Sequence, residues 1–542
     1  MHEFEIVLAL LVAVVFVSLA ARRFAIPAPV LLVVGGLIIA LIPGLPSIEF
    51  NPQLIFVVFI PPLLYRAALV ASWRDLRANL PSITQLGVGL VVFTTIVVGV
   101  AVHEVVPALP WAAAFALGAI VAPPDAPAAT AFLRELVVPR RLATILEGES
   151  LVNDATAIVA YRIAVAAAVT GVFSLAQAAE RFVLIAVGGV AVGLAVGSAI
   201  GFLRRHVHAP EIEATISILT PFAAYFPADL LGVSGVLSVL TTGLFLARLG
   251  PRLLAPDSRL VSEGMWQFVV FVLEGLTFIF VGLELRIVLG ALRGYPKGEL
   301  LLAAIAISAA TIIARMVWVF GSTHLRHLGV RLSTHFRRLA RQASPTKRRT
   351  ALDPLVSWRQ ILLVAWAGLR GADSLVLALA LPLTTLSGAP FPGRNLIIFL
   401  TYVVIVFTLV VQGFTLRPIV NKLGICDTGA TQKLEEAHAR QQAADAALKK
   451  LDELAPKLDA ETLTEFRSRY NHRHQRFSAR VRAERDKEEE ALVRSRRDVL
   501  RELLGVERST VIGLRDRGMI GDYVMRRVQR DLDLEALLLE SR

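Results

Sequence analysis

The hydrophobic residues of this chain fall in long runs, separated by short segments rich in proline, glycine and arginine. A helix needs about 20 apolar residues to cross a bilayer, and about thirteen runs of that kind precede residue 425. We therefore predict an all-α polytopic membrane protein with about 13 transmembrane helices. The predicted helices cover residues 4–22, 26–42, 53–71, 80–102, 109–133, 143–170, 178–203, 211–229, 232–248, 264–285, 298–321, 358–383 and 395–420.

Composition narrows the class further. The 542 residues are 55% hydrophobic and 18% charged, whereas soluble domains contain about 25% charged residues. A single cysteine, Cys426, excludes an internal disulfide, a thiolate zinc site and an iron-sulfur cluster. The net charge of +12 would suggest nucleic acid if the protein were soluble. Because the positive excess lies in loops between predicted helices, we expect membrane lipid as a partner, no nucleic acid and no cofactor.

The distribution of basic residues predicts how the chain is oriented. Short cytoplasmic loops are rich in lysine and arginine, and alternate loops of this chain differ strongly in these residues. An odd number of helices then places the N-terminus outside and the C-terminal part inside. The first run lacks a preceding basic segment, so we predict a membrane span and not a signal peptide. The basic loops contain Arg22, Arg23, Arg74, Arg77, Arg134, Arg140, Arg141, Arg204, Arg205, Arg248, Arg252, Arg259 and the basic residues of 326–349.

The predicted fifth helix contains a proline-rich break around an acidic residue. Pro123, Pro124 and Pro127 surround Asp125. Proline removes a helix hydrogen bond and its ring clashes with the preceding turn, so we predict that the helix unwinds there. A kink used only for packing would explain the prolines alone. The carboxylate beside freed carbonyl oxygens indicates a cation site.

The predicted sixth helix carries a second carboxylate, Asp154. Helical spacing places Ser150 and Asp154 on one face, with Glu149 and Asn153 on a neighbouring face. Hard cations prefer oxygen ligands, so Asp154, Ser150, Asp125 and unwound carbonyls form a predicted monovalent cation site. Burial disfavours the ionised form of a carboxyl group, so cation and proton would compete for Asp154. The alternative is a hydrogen-bonded Asp154 with a purely structural role.

The predicted twelfth helix has a second break that corresponds to the one in the fifth helix. Here Gly368 and Gly371 flank Arg370. Broken helices at corresponding positions of two halves are typical of transporters built from inverted repeats. An arginine inside the membrane needs a partner. We predict a structural ion pair between Glu149 and Arg370, for which Asp373 competes. The predicted broken-helix backbone comprises Pro123, Pro124, Gly368 and Gly371.

Four stretches carry a family resemblance through their order and spacing. They are GAIVAPPDAPAAT (118–130), LEGESLVNDATAIVAYR (146–162), WRQILLVAWAGLRGADSLVLALALP (358–382) and RNLIIFLTYVVIVFTLVVQGFTLRPIV (394–420). Together they resemble the bacterial sodium/proton antiporters of the first group of monovalent cation:proton antiporters. The resemblance covers about residues 5–425.

The resemblance implies a role for each matching residue. Asp154 is expected to bind the cation and the proton, with Asn153 as its companion and Ser150 and Asp125 as neighbours. Glu149 and Arg370 are expected to form the structural ion pair. The Asn-Asp sequence implies electroneutral exchange of one cation, first of all Na⁺, for one proton. A single titrating carboxylate also trades only one charge. The expected protein is a secondary active antiporter and not an enzyme.

The resemblance also implies an architecture. A homodimer is expected in the cell inner (plasma) membrane, where such exchange serves pH homeostasis. Each protomer would have a scaffold bundle, about 1–79 and 178–292, and a core transport bundle, about 80–177 and 293–424, that moves like an elevator. Because the expected exchange is electroneutral, the membrane potential would not drive the cycle, and the ion gradients would drive it.

Several residues depart from the family pattern. The break reads Pro124-Asp125-Ala126 in place of a Thr-Asp-Pro core, so a hydroxyl is missing and the choice among Na⁺, Li⁺ and K⁺ stays open. A K⁺/H⁺ exchanger or a cation channel of similar fold is the alternative, although a channel needs a continuous polar pore. Arg66 is expected to extend to the cytoplasmic surface. Glu274 and Asp373 are additional carboxylates that could form a second proton site.

An intramembrane serine protease is the remote alternative. The segment Gly232-Val-Ser-Gly235 resembles a rhomboid serine motif, which requires a histidine base on a nearby helix. All ten histidines fall outside the predicted helices. We therefore interpret these small residues as helix-packing positions.

Residues 425–542 differ from the rest of the chain. Apolar residues recur at helical spacing in 432–451, and residues 480–504 carry interspersed opposite charges. Such charge patterns are typical of a solvated helix face. We predict a helical cytoplasmic tail that regulates transport or stabilises the dimer.

Overall fold

The chain forms two compact units, Met1–Cys426 and Asp427–Arg542, in a computed structural model. The structure describes residues 2–24, 26–42, 52–125, 129, 139–171, 175–207, 209–253, 255–284, 290, 296–339, 357–425 and 430–483, with scattered residues between 503 and 532. Pro127 with the second half of the predicted fifth helix, the basic residues of 340–349, Cys426 and residues 533–539 lie outside this description.

The first unit is built from helices of unequal length. Seven described helical stretches are long and apolar enough to cross a bilayer, and four shorter apolar helices accompany them. The all-α polytopic class predicted from the sequence is therefore confirmed. In chain order the helices are α1 (His2–Phe24), α2 (Ala28–Leu41), α3 (Pro52–Val70), α4 (Trp73–Thr84), the π-helical turn Gln85–Leu90, α5 (Val91–Val105), α6 (Trp111–Val121), α7 (Arg140–Thr170), α8 (Leu175–Arg204), α9 (Pro210–Leu230), α10 (Gly235–Leu253), α11 (Pro256–Leu283), α12 (Lys297–Leu339), α13 (Trp358–Trp366), α14 (Ala372–Leu379), α15 (Arg394–Phe407), the π-helical turn Thr408–Gln412 and α16 (Gly413–Leu423).

Some helix ends differ from the prediction for identifiable reasons. α4 begins at Trp73 and not near residue 80, because Ser72 caps it and accepts a hydrogen bond from the Asp75 amide at 3.3 Å. The apolar run alone gave no signal for this polar first turn. The predicted twelfth helix is divided into α13 and α14, as the glycines around Arg370 indicated.

Glycines bring several helices into backbone contact. On α8, a Cβ at Gly189 would lie 2.6 Å from the Ser234 carbonyl oxygen, and one at Gly193 would lie 2.5 Å from that of Ser238. Gly36 of α2 and Gly282 of α11 meet in the same way, each against the other helix's backbone. Small residues at membrane helix interfaces permit this approach. α8 with α10, and α2 with α11, are therefore closely packed pairs.

A second closely packed group contains α5, α6 and α7. Gly118 of α6 lies against the Thr95 backbone, and Gly87 of the first π-helical turn lies against Val152 and Asn153 of α7. Any side chain at Gly87 would meet the Val152 side chain at 2.6 Å. This packing fixes α7, which carries Asn153 and Asp154, against α6, which leads into Asp125.

Arg66 has a partner that the sequence did not indicate. Its guanidinium lies 2.5 Å from Glu263 of α11, with 17% and 50% of the two side chains exposed. Arg66 therefore has a carboxylate partner on a neighbouring helix, and its extension to the cytoplasmic surface stays a prediction.

The second unit contains two described helices, α17 (Ala430–Leu454) and α18 (Ala460–Ala483), joined by a short 3₁₀ turn at Ala455–Lys457. Asp459 caps α18 by accepting a hydrogen bond from the Thr462 amide at 2.8 Å. That backbone hydrogen bond holds the pKa of the Asp459 carboxyl below its usual range. The cytoplasmic location and the regulatory role of this second unit stay predictions.

Candidate functional site: a crossing of two broken helices

Two interrupted helices meet at one point of the first unit. Helix α6 ends at Val121, and the backbone up to Asp125 is not helical. The segment between α13 and α14 is likewise non-helical, and the Asp125 amide donates a 2.7 Å hydrogen bond to the Leu369 carbonyl oxygen. The breaks predicted from Pro123, Pro124, Gly368 and Gly371 are thus present, and they are joined directly by their backbones.

Helix α7 lies beside this crossing and brings Asn153 to it. The Asn153 side-chain amide is buried and donates a 3.1 Å hydrogen bond to the Pro124 carbonyl oxygen. Proline at positions 123 and 124 removes backbone donors from this turn, which leaves carbonyl oxygens available to side chains and ions. Asn153 therefore fixes the geometry of the broken segment, and Asp154 is the next residue of the same helix.

Asp154 is half-buried and lies within electrostatic range of three other carboxyl groups, those of Asp373, Asp125 and Glu149. Asp125 and Asp373 are also half-buried. Like charges this close cannot all be ionised without a compensating cation or proton. The arrangement therefore favours binding a positive ion or a proton at Asp154. Ser150, one helical turn before Asp154, is half-buried on the same helix.

Gly371 allows Asp125 to reach the second broken helix. A Cβ built at Gly371 would overlap the Asp125 carboxylate, so only glycine leaves room for that group. Gly371 is also the residue that precedes α14. The N-terminus of a helix carries a partial positive charge, so the Asp125 carboxylate occupies a favourable position there.

The predicted partner of Glu149 is wrong. The Glu149 carboxylate pairs with Arg315 of α12, at 2.5 Å and 3.0 Å, and both side chains are 1% exposed. Arg315 lies in a long apolar run without a neighbouring proline or glycine break. An ionisable residue in such a run is itself a signal of function, which marks Arg315 as a candidate but does not identify it as the partner of Glu149.

Arg315 also fills space that a glycine provides. It donates from Nε and Nη2 to the Val364 carbonyl oxygen at 3.2 Å and 2.9 Å. A Cβ at Gly368 would overlap the Arg315 side chain. Glu149 and Arg315 therefore connect α7, α12 and the end of α13 in one buried network.

Arg370 is buried and bonds to backbone, not to Glu149. Its guanidinium donates to the Ala122 carbonyl oxygen, and its amide donates to Thr408 Oγ1 at 3.1 Å. Ala122 is the residue at the C-terminal end of α6, where a cation is favoured by the helix dipole. Glu149 still lies within electrostatic range of Arg370. The two arginines thus each neutralise the free carbonyl end of one broken helix.

The chemistry of these donors suits an alkali cation better than a transition metal. Among the described residues, no group of three or more His, Cys, Asp and Glu side chains is arranged to hold a metal ion. Two carboxylates, a hydroxyl and unwound carbonyls offer oxygen only, which hard cations prefer.

The serine motif has a structural role. Ser234 is buried, and its hydroxyl accepts a 3.2 Å hydrogen bond from the Leu237 amide at the start of α10. Gly232 adopts a positive φ of 70° that makes the preceding turn possible. A helix-capping serine of this kind explains the motif without nucleophilic chemistry.

The fold and the site together define a polytopic membrane protein in which two broken helices cross at a carboxylate site. The same fold is found in the sodium proton antiporter MjNhaP1 of Methanocaldococcus jannaschii, with a TM-score of 0.62 and 20% identity. The match covers 78% of this chain and 99% of that one.

Sequence comparison identifies the family. The model of the transmembrane sodium/hydrogen exchanger family matches residues 6–422. An uncharacterised Na⁺/H⁺ exchanger of Mycobacterium tuberculosis is 35% identical over 98% of this chain and 96% of the relative. A sodium, potassium, lithium and rubidium/H⁺ antiporter of Bacillus pumilus is 34% identical over 83% of this chain and 66% of the relative. The chain therefore belongs to the sodium/hydrogen exchanger family.

Proposed function

We propose that this protein is a secondary active antiporter that exchanges a monovalent cation, first of all Na⁺, for H⁺. The observation that carries the proposal is the position of Asp154, which lies beside the crossing of the two broken helices and within range of Asp125 and Asp373. Oxygen ligands for a cation and a carboxyl group for a proton are thus available at one place.

Competition at Asp154 explains how the two ions are coupled. A carboxylate in low dielectric is costly unless a cation or a proton neutralises it. The core can therefore move its site across the membrane with either ion bound, but the empty, ionised site is held back. With one exchanging carboxyl group, each cation is traded for one proton and the exchange is electroneutral.

One relative, the Bacillus pumilus antiporter, is named for sodium, potassium, lithium and rubidium, so its selectivity is broader than for Na⁺ alone. Pro124 stands where a threonine hydroxyl is common in the family, so carbonyl oxygens must supply more of the coordination here. We propose Na⁺ as the first substrate and K⁺/H⁺ exchange as the second candidate.

The mechanism we propose is alternating access of the elevator type. Core segments about 80–177 and 293–424 would move against a scaffold of about 1–79 and 178–292, in a homodimer with about 13 membrane helices and inverted repeats. The protein would lie in the inner membrane of the cell, with its N-terminus outside and its tail in the cytoplasm. The closely packed pairs α8 with α10 and α2 with α11 support a rigid scaffold.

Proteoliposomes with a preset proton gradient and an internal pH dye test the function. We expect that external Na⁺ collapses the gradient, and that Li⁺ and K⁺ rank the selectivity. Clamping the voltage with valinomycin and K⁺ should leave the Na⁺ response unchanged if exchange is electroneutral. Folded protein that moves protons with none of the three cations would overturn the proposal, and a voltage-dependent rate would overturn its stoichiometry.

A second prediction concerns Gly371, where the Asp125 carboxylate occupies the space of a side chain. We expect Gly371→Ala to displace that carboxylate and to lower the exchange rate by roughly tenfold or more, since overpacking costs about 1–3 kcal/mol. Gly321→Ala is the matched control, because a Cβ there meets no atom within 4 Å. Equal exchange by the two variants would show that Asp125 does not need this position.

A further inference from the structure

A half-exposed ion pair lies away from the helix crossing and joins α7 to α9. Arg162 Nη2 is 3.1 Å from Asp229 Oδ1, and the two side chains are 36% and 48% exposed. Arg162 follows Asp154 by eight residues, which is roughly 12 Å along a helix with a rise of 1.5 Å per residue. Asp229 lies at the C-terminal end of α9.

The space beside this ion pair is not tightly filled. A small cavity lies there, with Val159 and Arg162 of α7 on one side and Tyr225, Ser234 and Gly235 on the other. Those facing residues belong to α9 and to the start of α10.

The facing helices are themselves closely packed. Ser234 donates its amide to the Ile185 carbonyl oxygen of α8 at 3.1 Å, and Gly188 and Gly189 of α8 lie against Val233 and Ser234. Helix α7 is also closely packed against α4, where Gly148 meets Ile83 and Leu76, and against the first π-helical turn. The seam between α7 and α9 thus separates two well-packed groups, and the Arg162–Asp229 ion pair bridges it.

We propose that Arg162 and Asp229 form a latch that holds the ion-binding helix α7 against the scaffold in one of the two transport states. The inference rests on the proposed function, because α7 belongs to the mobile bundle and α9 to the fixed one. When the core moves, the pair separates and both groups become hydrated. Arg162 and Asp229 are therefore positioning residues that set the balance between the two states.

The size of the effect follows from exposure. Ion pairs that are largely hydrated contribute little energy, so the latch shifts the equilibrium and does not lock it. Neutralising one partner should change half-saturating cation concentrations by about two- to fivefold. The change should be opposite in sign on the two membrane faces, with the maximal rate nearly unchanged. A merely structural loss would lower the maximal rate on both faces.

The variants Arg162→Gln, Asp229→Asn and the charge swap Arg162→Asp with Asp229→Arg provide the kinetic test. We expect both single variants to shift the half-saturating concentrations in the same way, and the swap to return them toward wild type. Single variants that match wild type on both faces would overturn the latch.

A cross-link between positions 162 and 229 tests the latch by a method that does not depend on the two charges. In a Cys426→Ser background, Arg162→Cys with Asp229→Cys should be joined by a short bifunctional methanethiosulfonate, and exchange should stop until reductant is added. Either single cysteine variant is the control. Full exchange by the cross-linked protein would overturn the latch.

The two proposals fail differently. If wild type and Cys426→Ser exchange no cation, the proposed function fails. The cross-linking yield in membranes still tests the latch in that case, since it needs no transport. A yield that does not exceed that of a mismatched pair such as Arg162→Cys with Asp257→Cys would overturn it.

Discussion

Exchange by Asp154→Asn is expected to fall to the level of protein-free liposomes for every cation. The amide keeps the shape of the side chain but can neither release a proton nor neutralise a cation. The fold should survive, because asparagine has the shape of aspartate and the Asp154 side chain is only half-buried. The measurement is the pH-dye assay in proteoliposomes, with size-exclusion profile and melting temperature as the folding check.

Asp257→Asn is the matched control for this substitution. Asp257 is an exposed carboxylate in the first turn of α11, away from the helix crossing. We expect it to exchange cations like wild type. Residual cation-dependent proton movement in Asp154→Asn would mean that another carboxyl group, first of all Asp373, carries protons. The electroneutral stoichiometry would then have to be replaced.

Breaking the Glu149 and Arg315 pair should cause the largest loss of stability. Glu149→Gln or Arg315→Gln leaves one buried charge without its partner, which costs about 3–5 kcal/mol for a buried ion pair. Both side chains are 1% exposed, so water cannot compensate. Thermal unfolding in detergent, followed by intrinsic fluorescence, should show a strongly lowered melting temperature for either variant.

The ion pair between Arg66 and Glu263 serves as a comparison, because it has the same distance as the Glu149 and Arg315 pair but is more exposed to solvent. Its atoms are also 2.5 Å apart, but half of the Glu263 side chain is exposed. Neutralising Glu263 should cost only about 0–1 kcal/mol. Similar melting temperatures for Glu149→Gln and Glu263→Gln would refute the assigned partner of Glu149.

The double variant Glu149→Gln with Arg315→Gln tests the buried pair in a second way. Its loss of stability should be smaller than the sum of the losses of the two single variants.

Much of this site follows from local sequence chemistry. Pro123 and Pro124 beside Asp125, and Gly368 and Gly371 around Arg370, combine helix-breaking residues with a charge inside an apolar run, so both breaks could be predicted without a fold. The all-α polytopic class and the approximate positions of most described helices follow from the same kind of information, because a bilayer dictates the length of an apolar span.

The partner of Glu149 could not be predicted in this way. Arg315 and Arg370 are both arginines in apolar helices, and the choice between them depends on how α7, α12 and α13 pack. Residue spacing along one helix carries no information on that. The same reason applies to Arg66, whose bond to Glu263 requires two helices that are far apart in the chain to be neighbours.

The two π-helical turns, Gln85–Leu90 and Thr408–Gln412, restrict which insertions and deletions the protein can tolerate. A π-helical turn holds one residue more than an α-helical turn. Deleting a residue there would make the turn α-helical and leave the flanking segments in nearly the same rotational position. A deletion elsewhere in the same helices would rotate the flanking segments by about 100° relative to each other. A rotation of that size would turn Thr408 away from the Arg370 amide, and Gln85 from the Trp318 indole, whose Nε1 donates to its carbonyl oxygen at 3.1 Å. Within these two helices, a change in length of one residue should therefore be tolerated best at the π-helical turns themselves.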